Sequence, residues 1–136
     1  MSIADKFIRE GAVESAEGSS KKFLSSEDFN NGITLIAVDM QIFTPDDPKY
    51  GVKNEYGAGG VLVKENWLVK NGVLKEGESF RYVFKTEDGS DAIFENNSLS
   101  MYFSFTKANP NAGEKINIKR TANSQFDIDW AITKVQ

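Results

Sequence analysis

Catalysis by this chain would have to run on carboxylates, lysines, tyrosines and serines, because its 136 residues include no histidine and no cysteine. That absence removes a thiol nucleophile, disulfides, cysteine-based zinc sites, a Ser-His-Asp triad and the usual imidazole-ligated metals. Two carboxylate pairs remain. Asp127 and Asp129 stand two apart near the end of the sequence, the spacing of an acid/base pair or of oxygen ligands for a hard cation. Their simpler reading is the solvated side of a terminal strand. Asp46 and Asp47, between Pro45 and Pro48, read as a turn. Gly57–Gly60 has the look of a phosphate cradle, but a strand-like segment follows it where such a cradle needs a helix. The expectation is a protein that is not an enzyme and uses no cofactor and no metal.

Planar rings and cations are the other chemistry present. A ring on an outward face can stack on a base, and a lysine or arginine beside it can neutralise a phosphate. Tyr50, Tyr56, Trp67 and Tyr102 occupy polar-face or loop positions, and Arg81, Lys85, Lys115, Lys119 and Arg120 are read as outward cations. Lys49, Lys53, Lys64 and Lys107 add charge in or near loops. Tyr102, between Ser100 and Ser104, is either a stacking platform or a ring half-buried under a loop. Trp67 shares its face with Val63, Glu65 and Val69, and stacking and core packing stay equally open. Phe80, Phe84, Phe103, Phe105, Phe126 and Trp130 read as core. Each cation alone is an ordinary solubilising charge; together they make a groove only if strand order brings them to one side.

Charge bounds this reading. The net charge is −4, which argues against a simple polycationic nucleic-acid binder. Residues 1–48 carry nine acids and four bases, a balance of −5, whereas residues 49–136 carry eleven acids and twelve bases, a balance of +1. The acidity therefore sits at the front, away from most of the candidate cations.

The elements that must position these residues are strands. Residues 33–43 form a long first strand whose apolar alternation breaks in the middle, as a bulge or two-sided burial requires. Residues 61–69, 79–85, 92–95, 98–106, 115–120 and 126–132 follow as further strands. In 79–85, Phe80, Tyr82 and Phe84 face one way, and Arg81, Val83 and Lys85 the other. In 98–106, Leu99, Met101, Phe103 and Phe105 form the apolar face. Residues 44–60 are a long, glycine- and proline-rich connection. Glu87-Asp88-Gly89-Ser90 reads as a hairpin turn. Residues 2–10 are compatible with a short helix capped by Ser2, and 11–22 with a flexible linker. The fold class is all-β: one antiparallel barrel over 23–136 behind an N-terminal arm, 1–22, that is helical or mobile. No apolar run reaches the ~20 residues of a membrane span. No secretory signal opens the sequence, so a cytoplasmic protein is expected, in a host cell if it is viral.

Two stretches carry a resemblance. Lys22-Phe23-Leu24-Ser25-Ser26-Glu27-Asp28-Phe29 leading into 33–43, and 98–105 followed by Gly113-Glu114-Lys115-Ile116-Asn117-Ile118-Lys119-Arg120-Thr121 and a final strand, resemble small bacteriophage-type single-stranded-DNA-binding proteins with an OB-fold. The resemblance implies an OB-type barrel that coats single-stranded DNA, or RNA of the same chemistry, during viral replication or recombination. Such binding is independent of base sequence and open to self-association. Many single-strand binders end in an acidic recruiting tail, which Lys134-Val135-Gln136 does not provide; the acidic stretch from Glu10 to Glu17 is the available substitute. The alternative is a structural or protein-interaction β-module, such as a virion accessory protein. A glycan-binding sandwich is the third reading, disfavoured by the lack of a secretion signal.

Overall fold

The computed structural model describes Ile3, residues 8–9, 21–124 and 127–135. The chain is mostly β, with a six-stranded sheet curled into a half-barrel and two helices. In chain order the strands are β1 (Ile8–Arg9), β2 (Lys21–Leu24), β3 (Ile33–Phe43), β4 (Glu55–Tyr56), β5 (Leu62–Lys64), β6 (Ser79–Lys85), β7 (Asp91–Asn96), β8 (Lys115–Ala122) and β9 (Ile128–Lys134). Helix α1 (Trp67–Lys70) precedes β6, and α2 (Leu99–Ala108) separates β7 from β8. The sheet runs β2-β7-β6-β3-β8-β9, β1 lies against β3, and β4 and β5 form a separate hairpin.

Strand β3 organises the curl. Its first residues, Ile33 to Ile36, pair with β8, and Ile36 to Phe43 pair with β6. One long strand thus serves two halves of the sheet. The register with β6 shifts between Ala37 and Asp39. Leu35 and Ala37 are buried before this bulge, and Met40 and Ile42 after it. The broken alternation in the sequence is this extra residue. Strand β6 alternates without a break, placing Phe80, Tyr82 and Phe84 inside and Arg81, Val83 and Lys85 outside. The β6–β7 hairpin turns through Thr86 to Ser90, closed by Thr86 N–H donating to the Ser90 carbonyl at 2.8 Å.

Strands β7 and β9 share no ladder; inward rings meet between them instead. A 3-10 turn, Ser26–Phe29, carries Phe29 into the gap, 4.8 Å from Phe94 and 5.6 Å from Trp130 between ring centroids. Ser25 N–H holds the turn by donating to Asp28 Oδ2 at 2.8 Å.

Six expectations are corrected. Residues 98–106 are not a strand but most of α2. Ser98 caps that helix, its hydroxyl accepting from Met101 N–H, and Asn109 ends it in a left-handed conformation at φ 51°, before Pro110. Met101 and Phe105, four apart, are buried on one helical face, with Phe105 5.0 Å from Tyr82; Phe103, expected in the core, is exposed. Residues 61–69 break after Lys64, because Asn66 Oδ1 accepts from Leu68 N–H and starts α1. Ile8–Arg9 are a strand, not helix, and β1 and β2 pair in parallel with β3 and β7, so the sheet is mixed rather than antiparallel. Lys21 and Lys22, read as linker, are the first residues of β2. Ile3 is buried and donates its N–H to the Pro110 carbonyl at 2.9 Å. The remaining helix and linker positions, 2, 4–7 and 10–20, and Phe126 lie outside the described residues. Among the described residues no helix is long and apolar enough to cross a membrane.

Candidate functional site

The outer face of β6 and β7 holds a groove of about 510 Å3, walled by β2 on one side and by the β3–β6 connection on the other. The parallel register of β2 sets Phe23 opposite Ile93, on the outward side, where its ring is 62% exposed. Tyr50, 59% exposed, lines the same groove from the end of the 3-10 turn Pro48–Tyr50. Asp47 caps that turn by accepting from Lys49 N–H at 3.1 Å. Asn97 Nδ2 donates to the Tyr50 carbonyl at 2.9 Å and ties the loop to the end of β7. Phe43, the last residue of β3, lies under the Arg81 guanidinium, whose carbon is 4.3 Å from the ring centroid.

The long connection is pinned rather than slack. Val52 is buried and exchanges backbone hydrogen bonds with Gly77 and Glu78. A Cβ at Gly51 would run into the Gly77 backbone, so glycine is needed for this approach.

Cations line the outward wall beyond the groove. Arg81 and Lys85 are outward on β6, four residues apart, about 13 Å along the strand. Ile36 stands directly opposite both Lys85 and Lys115, and Lys119 continues that outward row on β8. These cations face carboxylates. Arg81 Nε donates to Glu95 Oε2 at 2.9 Å, Lys85 lies 3.7 Å from Asp91, and Lys115 lies 3.4 Å from Glu87. Lys49 sits 3.6 Å from Asp47 and 5.0 Å above the Tyr50 ring. The Lys49 and Lys115 pairs are well solvated, of the kind worth under ~1 kcal/mol; Arg81–Glu95 and Lys85–Asp91 are less exposed.

Of the residues singled out from sequence, Tyr50 and Lys49 line the groove, Arg81 stands beside it over Phe43, and Lys85, Lys115 and Lys119 lie beyond it on the outward face. Arg120 does not: it has the inward parity of Ile116 and Ile118, and Nη1 donates to Asn30 Oδ1 at 3.1 Å. Tyr56 stands on the separate hairpin with its hydroxyl 3.1 Å from both Glu76 carboxylate oxygens. Tyr102 is on α2, half-buried and stacked on Phe80 at 5.0 Å; burial raises its pKa above the usual 10.0. Trp67 is on α1, against Phe103. Asp127 and Asp129 are exposed. Sequence reasoning missed Phe23, Phe43 and Asn97. Phe23 carried one signal, an aromatic directly after two lysines; the others had none.

Compared with known proteins, the chain matches no family model, no curated protein and no solved structure.

Proposed function

We propose that this chain binds single-stranded nucleic acid, DNA first, along the outer face of β6 and β7, with the bases stacked on Phe23 and Tyr50. One observation carries the reading: two exposed rings, Phe23 and Tyr50, line one groove together with Lys49, and Arg81 stands over the groove-lining Phe43 at the start of the outward cation row. Stacking on rings and pairing with phosphates are the two requirements of single-strand binding.

The connectivity supports an OB-type barrel. Taken alone, β3, β6 and β7 are a meander, α2 follows the third strand, and β8 returns beside β3 before β9 pairs with it. That order is compatible with an OB barrel, in which the second and third strands and the loop between the first and second take oligonucleotides. The groove lies on those elements. The departure is at the seam, where β2 rather than β9 flanks β7. Coating a viral single strand during replication or recombination, without regard to base sequence, belongs to the same proposal.

Anisotropy of fluorescein-labelled oligo-dT tests it. Binding is expected at low salt, falling steeply as salt rises, and weaker for duplex. Phe23→Ala and Tyr50→Ala should each lose about 1–3 kcal/mol. No binding at low salt, or equal binding of duplex and single strand, refutes the proposal.

A further inference from the structure

Away from the groove, α1 and α2 present a second surface of different character. Trp67 and Phe103 are 41% and 43% exposed and meet nearly perpendicular, at 72° and 4.9 Å between centroids. Lys70 follows Trp67 by one helical turn and Lys107 follows Phe103 by one turn, so each aromatic shares its side with a lysine. Both lysines are exposed. Residues 66–75 and 96–113 contain Lys70, Lys75 and Lys107 and no acid, in a chain of net charge −4; the adjoining acids along the sequence are Glu65, Glu76, Glu95 and Glu114. Whereas Arg81, Lys85 and Lys115 each face a carboxylate, no carboxylate among the described residues lies in ion-pair range of Lys70 or Lys107.

We infer that the α1–α2 face is a docking surface for an acidic peptide segment of another protein, one carrying aromatic or aliphatic anchors among its acids. The apolar content demands an apolar counterpart, and the local positive charge selects acids to flank it. The ring geometry separates this occupant from nucleic acid. Packed edge-to-face, the two rings present a joint apolar patch to a side chain rather than parallel faces for stacked bases. The inference does not depend on the groove binding a nucleic acid.

The test uses the whole chain and three fluorescein-labelled probes: Asp-Asp-Leu-Asp-Asp-Phe repeated twice, the same peptide with serine for leucine and phenylalanine, and oligo-dT. The anchored acidic peptide should bind at low salt and the serine peptide at least about tenfold more weakly. Phe103→Ala should weaken the anchored peptide about tenfold. The double variant Lys70→Glu/Lys107→Glu, which touches no packed residue, should do the same and flatten the salt dependence. Oligo-dT affinity should change less than about twofold in Phe103→Ala, an uncharged change outside the groove. The inference falls if the anchored peptide fails to bind, or binds these variants as well as it binds the unaltered chain. Loss of oligo-dT binding in Phe103→Ala would give the face to nucleic acid, and self-association abolished by the same change would give it to a second copy; either overturns the assignment.

Discussion

Replacing Tyr82 with phenylalanine should stabilise this protein. The ring lies wholly inside, 5.0 Å from Phe105 and 6.2 Å from Phe94. Its hydroxyl is buried with no hydrogen-bond partner among the described residues. An unpaired buried hydroxyl costs roughly 1–3 kcal/mol of desolvation. Phenylalanine keeps the ring contacts and removes that cost. The void left, on the order of 15 Å3, returns about 0.4 kcal/mol at ~24 cal/mol per Å3. The net gain is about 0.5–2.5 kcal/mol, visible as a higher urea midpoint at unchanged slope. Titration gives a second readout with a definite sign. Burial, and secondarily the nearby Tyr102, push the Tyr82 pKa well above 10.0. The native state therefore holds its proton where the unfolded chain gives it up. This linkage leaves stability unchanged below about pH 10 and subtracts from it as pH rises through that value toward the folded pKa. Tyr82→Phe should lose less stability than the unaltered chain across that alkaline window. A loss of 1 kcal/mol or more at neutral pH, or identical alkaline behaviour, would show that the hydroxyl has a partner and that the reasoning is wrong.

Three further outcomes are expected. Gly51→Ala forces the Gly51 and Gly77 backbones apart and should cost about 1–3 kcal/mol in urea unfolding, with weaker oligo-dT binding because Tyr50 is the preceding residue; unchanged stability would show that the loop yields freely. Asn97→Ala removes the tether to the Tyr50 carbonyl, so it should lower oligo-dT affinity in a Tyr50-dependent way. A double-mutant cycle with Tyr50→Ala reads this directly, and strict additivity would deny the tether a role. The Glu114 carboxyl is held below its usual 4.5, first by the Asn111 backbone N–H and then by Lys134. Its contribution is present above that value and lost as pH falls below it, so Glu114→Gln should flatten the acid limb of a thermal-stability profile below 4.5; an unchanged limb would count against this assignment.

The strands that the sequence discloses are those whose alternation is enforced by burial on one side only. Strands β3 and β6 have their expected bounds, and the bulge near Val38 was visible as a break in phase. The misreading of α2 has a specific source. Leu99, Met101, Phe103 and Phe105 satisfy a period of two, while Leu99/Phe103 and Met101/Phe105 are each also one helical turn apart, and only the second pair is buried. Ser98 and the Asn109-Pro110 stop were the deciding signals, because they satisfy backbone groups that only a helix end leaves open. In the same way Asn66 cut short the strand read at 61–69.

The groove was less legible. Tyr50 and Arg81 were recognisable as a loop aromatic and an outward cation, yet the place of Tyr50 in the groove depends on a connection folded back at Val52 and tied by Asn97. Phe23 looks like a core residue by type, and only the parallel pairing of β2 with β7 turns it outward. Residue types and local period determined which chemistries are excluded, where β3 and β6 run, and which of their side chains face out. Strand order decided which outward groups became neighbours, since pairing energy between distant segments is set by register and packing rather than by local propensity. That is why the exposed rings and cations could be named from the sequence while the separation of groove from helical face could not.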